Sequence, residues 1–142
     1  MAEPAPAPGK PAVTVLRDLM NTRVATASPE ASVAEAAASM VQANVGSLVV
    51  LQGSFLAGIL TERDILRAAA SGQDLSASRV SAWMTPDPQA ASPDTSVEDA
   101  AQIMFLNGFR HLPIAEGGRV CGMVSLRELF AARIRRPRAA ER

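Results

Sequence analysis

The chain has 142 residues, 48% of them apolar and 20% charged, with no net charge at pH 7. That suffices for one domain or two small repeats packed together, and the balanced charge points to neither a nucleic-acid nor an anionic-membrane partner. One cysteine, Cys121, excludes a disulfide framework and fits a reducing cytoplasm; one histidine, His111, excludes any mechanism needing two imidazoles; and the only lysine, Lys10, stands near the N-terminus, so the body of the chain offers no phosphate-loop lysine.

Residues 1–12 are Ala/Pro-rich, lack the basic start and apolar run of a secretion signal, and read as a disordered leader. A short extended segment is expected near Val24 to Ala27. Ser32 and Glu35 then make a Ser-x-x-Glu capping box, and Val33, Ala36, Ala37, Met40 and Val41 fall at helix spacing on one face. Two apolar runs, Leu48 to Leu51 and Phe55 to Leu60, flank a turn at Gly53 and read as a β-hairpin. Thr61 opens a second helix running to about Ala70, and Ser71 to Ser78 reads as a linker.

The same series then repeats. Met20 to Leu66 aligns with Met84 to Phe130 at an offset of 64 residues without a gap, and thirteen identical positions mark a tandem duplication. In the second copy the extended segment is expected at Gln89 to Ala91. The first helix follows behind Ser96 and Asp99, with Val97, Ala100, Ala101, Met104 and Phe105 as its apolar face. The hairpin is Leu112 to Ala115 and Arg119 to Val124 about Gly117-Gly118, and Ser125 opens a last helix to about Ile134. Leu19-Met20 and Trp83-Met84, which precede the two copies, read as anchors of a lead-in helix to the core, and Cys121 as a small buried apolar residue.

The expected fold class is therefore α+β, with two β-α-β-β-α repeats packed sheet to sheet about a pseudo-twofold axis. The first repeat with its linker spans 13–78 and the second 79–134. Residues 135–142 form a solvated basic tail, to whose charge Arg133, Arg135, Arg136, Arg138 and Arg142 contribute. No apolar run approaches the roughly 18 residues of a membrane span.

In chemistry, Thr61 and Asp64 stand three residues apart at a strand-to-helix junction, where a carboxylate can accept both hydroxyls of a ribose while the hydroxyl and helix amides face a phosphate. Gly58 would let backbone approach closely, and Ile59 would supply an apolar wall. The same spacing fits a plain helix cap, as does Ser125 with Glu128, so on the residues alone both readings stand. No nucleophile elbow or metal-ligand cluster appears, and the chain reads as no enzyme.

Asn44-Val45-Gly46-Ser47-Leu48-Val49-Val50 with Gly58-Ile59-Leu60-Thr61-Glu62-Arg63-Asp64, and Gly108-Phe109-Arg110-His111-Leu112-Pro113-Ile114 with Gly122-Met123-Val124-Ser125-Leu126-Arg127-Glu128, closely resemble the motifs of paired cystathionine-β-synthase (CBS) domains, the Bateman modules, of the stand-alone bacterial type. The likeness covers about Val13 to Ile134. It implies a regulatory module that binds an adenosine-containing nucleotide of the AMP, ATP or NAD type, requires no cofactor and forms a homodimer, with any protein partner unnamed. It further implies that Arg110 and His111 line the cleft of Thr61 and Asp64, and that adenine rests between Ile59 and the segment at Pro88 and Gln89. Ser125, Glu128, Gly46 and Ser47 would form a second, weaker cleft, weaker because Glu128 replaces the ribose-binding aspartate. A dimerisation module with empty clefts is the alternative.

Overall fold

The computed structural model of the chain describes residues 15–140, and side chains over 15–133. In chain order a single 3-10 turn, Leu16–Asp18, precedes β1 (Thr26–Ala27), α1 (Val33–Ala43), β2 (Ser47–Gln52), β3 (Phe55–Thr61) and α2 (Glu62–Ala70). The second copy follows as α3 (Val80–Trp83), β4 (Thr85–Pro86), α4 (Val97–Asn107), β5 (His111–Glu116), β6 (Arg119–Ser125) and α5 (Leu126–Ala140). The α+β duplication is as expected. α5, however, continues through Ala140 instead of stopping near Ile134. The stretch beyond is rich in Ala and Arg, both strong helix formers, so most of the expected tail is helical backbone. The leader of residues 1–12 lies outside the described residues.

Strand order is β1-β2-β3-β4 in the first sheet, with β1 parallel to β2 and the other pairs antiparallel. The second sheet holds β5 and β6, flanked by single bridges from Ala91 to Ile114 and from Asn21 to Met123. Those bridges sit 64 residues from the pairs Ala27 with Val50 and Thr85 with Ile59, so the second sheet repeats the first with shorter edges. Of the extended segment expected at Gln89 to Ala91, only Ala91 pairs. Alternation along each strand sends Leu48, Val50 and Leu60 toward the helices of the first copy and Leu112, Ile114 and Val124 toward those of the second. The residues between them, Val49, Ile59 and Met123, form a third cluster where the two sheets meet.

The lead-in segments exchange places. Leu16 is fully buried in the core of the second copy, where its amide donates to the Thr95 carbonyl at 2.9 Å and the Arg17 amide to the Pro93 carbonyl at 2.8 Å. Val80 is buried in the core of the first copy, its amide donating to the Ala31 carbonyl at 2.9 Å and that of Ser81 to the Pro29 carbonyl at 3.0 Å. Each arm thus anchors a core, as expected, but the core of the opposite copy.

Two residues assigned to the apolar helix faces are outside them: Val41 and Phe105 are each 82% exposed. Each follows a buried methionine directly, Met40 or Met104, and so stands about 100° round the helix from it, off the core-facing stripe. Cys121 is half-buried at the edge of the second core, where the outer edge of its strand meets only a single bridge, and is not enclosed as expected.

Candidate ligand cleft

Thr61 closes β3 and is also the N-cap of α2, so a strand end and a helix start converge on one hydroxyl. The Asp64 amide donates to Thr61 Oγ1 at 3.3 Å, and Asp64 Oδ2 accepts from the Thr61 amide at 2.9 Å and from its hydroxyl at 3.1 Å. The other oxygen, Oδ1, accepts from Arg67 Nη1 at 2.8 Å. Asp64, only 6% exposed, is the one buried charged residue among those described, and these bonds compensate its burial. Sequence reasoning missed Arg67, although an aspartate three residues before an arginine on a helix is the usual signal for such a pair.

The second cap is built alike. Glu128 Oε1 accepts from the Ser125 amide at 2.8 Å, and the Glu128 amide donates to Ser125 Oγ at 3.2 Å. α1 also opens on the expected reciprocal box between Ser32 and Glu35. At Ser96 only the forward bond forms, from the Asp99 amide at 2.9 Å, while the Asp99 side chain stays at the exposed surface.

Around the caps, β2 and β5 supply the segments expected to complete the clefts. Ser47 is buried and stands opposite Thr61, and the Gly46 carbonyl accepts the Glu62 amide at 3.1 Å. In the second copy His111 stands opposite Ser125, and the Arg110 carbonyl accepts the Leu126 amide at 2.9 Å. Each loop therefore caps the helix of its own copy through backbone. The His111 side chain also feels the other copy: burial pushes its pKa below the usual value, Glu62 of the first copy and then Glu128 pull it up, and Arg110 pushes it down. The imidazole is half-buried in the field of both helix starts. Glu62 was not singled out in the sequence, because an exposed residue after a cap carries no pattern of its own.

The expected wall residue Ile59 is placed differently, and so is the space at Gly58. Ile59 is only 5% exposed, being turned into the cluster between the sheets, where period-two alternation puts it beside Val49. The space over Gly58 is taken by Met84 and the Thr85 carbonyl of the exchanged arm, since β4 pairs with β3 there. Pro88, half-buried, and Gln89, exposed, continue that arm just past Asp87, whose amide donates to the Ala57 carbonyl at 3.1 Å. An open cavity of about 490 Å³ lies against the second cap, lined by Ser125, Arg127, Glu128, Phe130 and Ala131. Another, of about 510 Å³, lies at the linker between Gln73 and Ala82, away from both caps.

Comparison with known proteins bears on what such a pair of caps is for. The CBS domain profile matches the chain twice, at residues 16–71 and 79–135. The CBS domain-containing protein YhcV of Bacillus subtilis is 41% identical over 115 residues, which is 80% of this chain and 81% of that one. Among solved structures, the CBS domain protein NE2398 superposes with a TM-score of 0.80 at 28% identity, over 84% of this chain and 97% of that one. The CBS domain pair of protein MJ0100, solved in complex with 5'-methylthioadenosine and S-adenosyl-L-methionine, superposes with a TM-score of 0.77 at 25% identity, over 83% of this chain and 98% of that one.

Proposed function

The chain belongs to the CBS domain family and is a CBS-pair regulatory module, and from that premise we propose that its first cleft binds an adenosine-containing nucleotide of the AMP, ATP or NAD type and passes on its occupancy through a homodimer or a protein partner. The observation that carries this reading is Asp64, a carboxylate 6% exposed at the N-terminus of α2. Such a group accepts the two hydroxyls of a ribose, and the positive end of the α2 dipole draws the phosphate. Arg110 brings the cation and His111 a titratable donor. The adenosine compounds bound to the MJ0100 pair support the same ligand class. The second cleft, with Glu128 in place of the aspartate and uncharged Gly46 and Ser47 at its mouth, binds weakly. We read the module as non-catalytic and at work in the reducing cytoplasm; no described helix is long and apolar enough to cross a membrane.

The homodimer reading rests on the helices. Leu66 on α2 is 69% exposed and Phe130 on α5 is 67% exposed, and with Val41 and Phe105 they give both copies matching apolar sites 64 residues apart. A second chain seated across these helix pairs removes all four from water.

The test is mass spectrometry of ligand released from purified protein, followed by a thermal-shift panel of adenine nucleotides. A ligand at a hundredfold excess over Kd adds about 2.7 kcal/mol to stability, a clear upward shift. A flat panel with nothing released supports the alternative, an empty dimerisation module in which the two closed capping boxes serve only their own helix ends.

A further inference from the structure

Asp64 does not face its cleft alone. Its Oδ1 takes Arg67 Nη1 at 2.8 Å, and the guanidinium carbon of Arg67 stands 5.6 Å from the centroid of the Trp83 ring. A guanidinium within about 6 Å of an indole face is drawn to the ring's negative quadrupole. Trp83 ends α3, on the arm that the second copy lends to the first. Carboxylate, guanidinium and indole therefore form a file from the cleft to the arm that joins the two copies.

The other copy keeps a carboxylate but lacks both the guanidinium and the indole. Sixty-four residues from Asp64, Arg67 and Trp83 stand Glu128, Ala131 and Leu19. An exposed ion pair on a helix surface usually contributes little. Here one partner is buried, and the cation is held from a second side by an aromatic ring on another element, so the carboxylate's rotamer is fixed.

We propose that Arg67 is a positioning residue for diol recognition: it holds the Asp64 carboxylate in the rotamer that accepts the two ribose hydroxyls, and Trp83 holds Arg67, so the arm of the second copy is part of the first copy's site. This rests on the nucleotide reading above. A hydroxyl that donates to Asp64 Oδ1 shares that oxygen with Arg67, since a carboxylate oxygen accepts two bonds, so occupancy changes the field at Trp83.

Trp83 is the only tryptophan in the chain, so its fluorescence reports this one contact. The experiment compares AMP with 2'-deoxy-AMP by calorimetry, and follows Trp83 emission, in the full chain and in Arg67→Met and Arg67→Lys. The Arg67 side chain is 58% exposed, which leaves the core intact in both variants. In the wild type, AMP is expected to bind about tenfold more tightly than 2'-deoxy-AMP and to shift Trp83 emission. In Arg67→Met the preference falls to about twofold and the shift disappears, while Arg67→Lys recovers part of each. Full preference retained in Arg67→Met overturns the positioning role and leaves the nucleotide reading standing. Equal binding of both nucleotides to the wild type has the same consequence. Binding of neither overturns both.

Discussion

Met84 fills the space above Gly58: its sulfur lies 2.5 Å from where a β-carbon on that glycine would stand, and the Thr85 carbonyl lies 2.8 Å from the same point. The counterpart, Gly122, faces the Met20 sulfur at 2.7 Å but a backbone oxygen, that of Asn21, only at 3.3 Å. A methionine end can swing aside; a paired backbone carbonyl cannot. Gly58→Ala should therefore destabilise by roughly 1–3 kcal/mol, the usual cost of overpacking, and Gly122→Ala by less. Urea unfolding of the two variants checks the order, and equal losses would show that both arms yield alike.

The two clefts should differ. A hydrogen bond to a charged group is worth about 1.5–3 kcal/mol, so Asp64→Ala should weaken nucleotide binding on the order of ten- to a hundredfold. Glu128→Ala should leave the affinity nearly unchanged and cost about 0.5–1 kcal/mol of stability through the lost cap. Calorimetry of both variants decides, and two equal sites per wild-type chain would refute the asymmetry.

Charge at the phosphate is tested at Arg110. Arg110→Ala should weaken AMP more than adenosine, because only AMP carries the anion whose charge-assisted bonds are lost. Equal losses for the two ligands would place the guanidinium away from the phosphate.

Acidification should destabilise the protein through His111. Burial holds its folded-state pKa below the usual value of about 6.5, so between those two values the unfolded chain binds more protons than the folded one. The neutral imidazole's contribution is complete above about pH 6.5 and is lost as pH falls through that value toward the folded pKa. Wild type should therefore lose stability relative to His111→Gln between pH 7 and 5. A constant difference across that range would mean that His111 titrates alike in both states.

Sedimentation should give a wild-type mass near twice the 14.9 kDa of one chain. Phe130→Asp, placing a charge on the exposed helix face, should return it to the monomer without lowering stability in dilute solution. A wild type that stays monomeric at all concentrations counts against the dimer.

Much of this was legible because the duplication printed each element twice: Ser32 with Glu35, Thr61 with Asp64 and Ser125 with Glu128 all close as reciprocal caps, as their spacing says. The exchange of arms was not legible. Leu16 and Val80 are equivalent by repeat, so the same apolar pattern serves docking within a copy or across copies, and backbone pairings such as Thr85 with Ile59 and Asn21 with Met123 distinguish them. Ile59 as an open wall failed for a related reason: alternation fixes which strand residues share a face, but not whether that face meets a ligand or a second sheet. Arg67 and Trp83 went unpaired in the sequence because one lies on a helix of the first copy and the other on an arm of the second.

The crossed arms make each half of the chain the completion of the other. Severed within the linker near Gly72, the chain yields one fragment carrying Leu16, which the other fragment needs, and another carrying Val80, which the first needs. Neither piece alone can fill its own interior, yet the two together hold every contact of the intact molecule except one peptide bond. Mixed in solution, they should reassemble spontaneously, so that the covalent link sets the effective concentration of two mutually obligate halves and does not itself dictate their architecture.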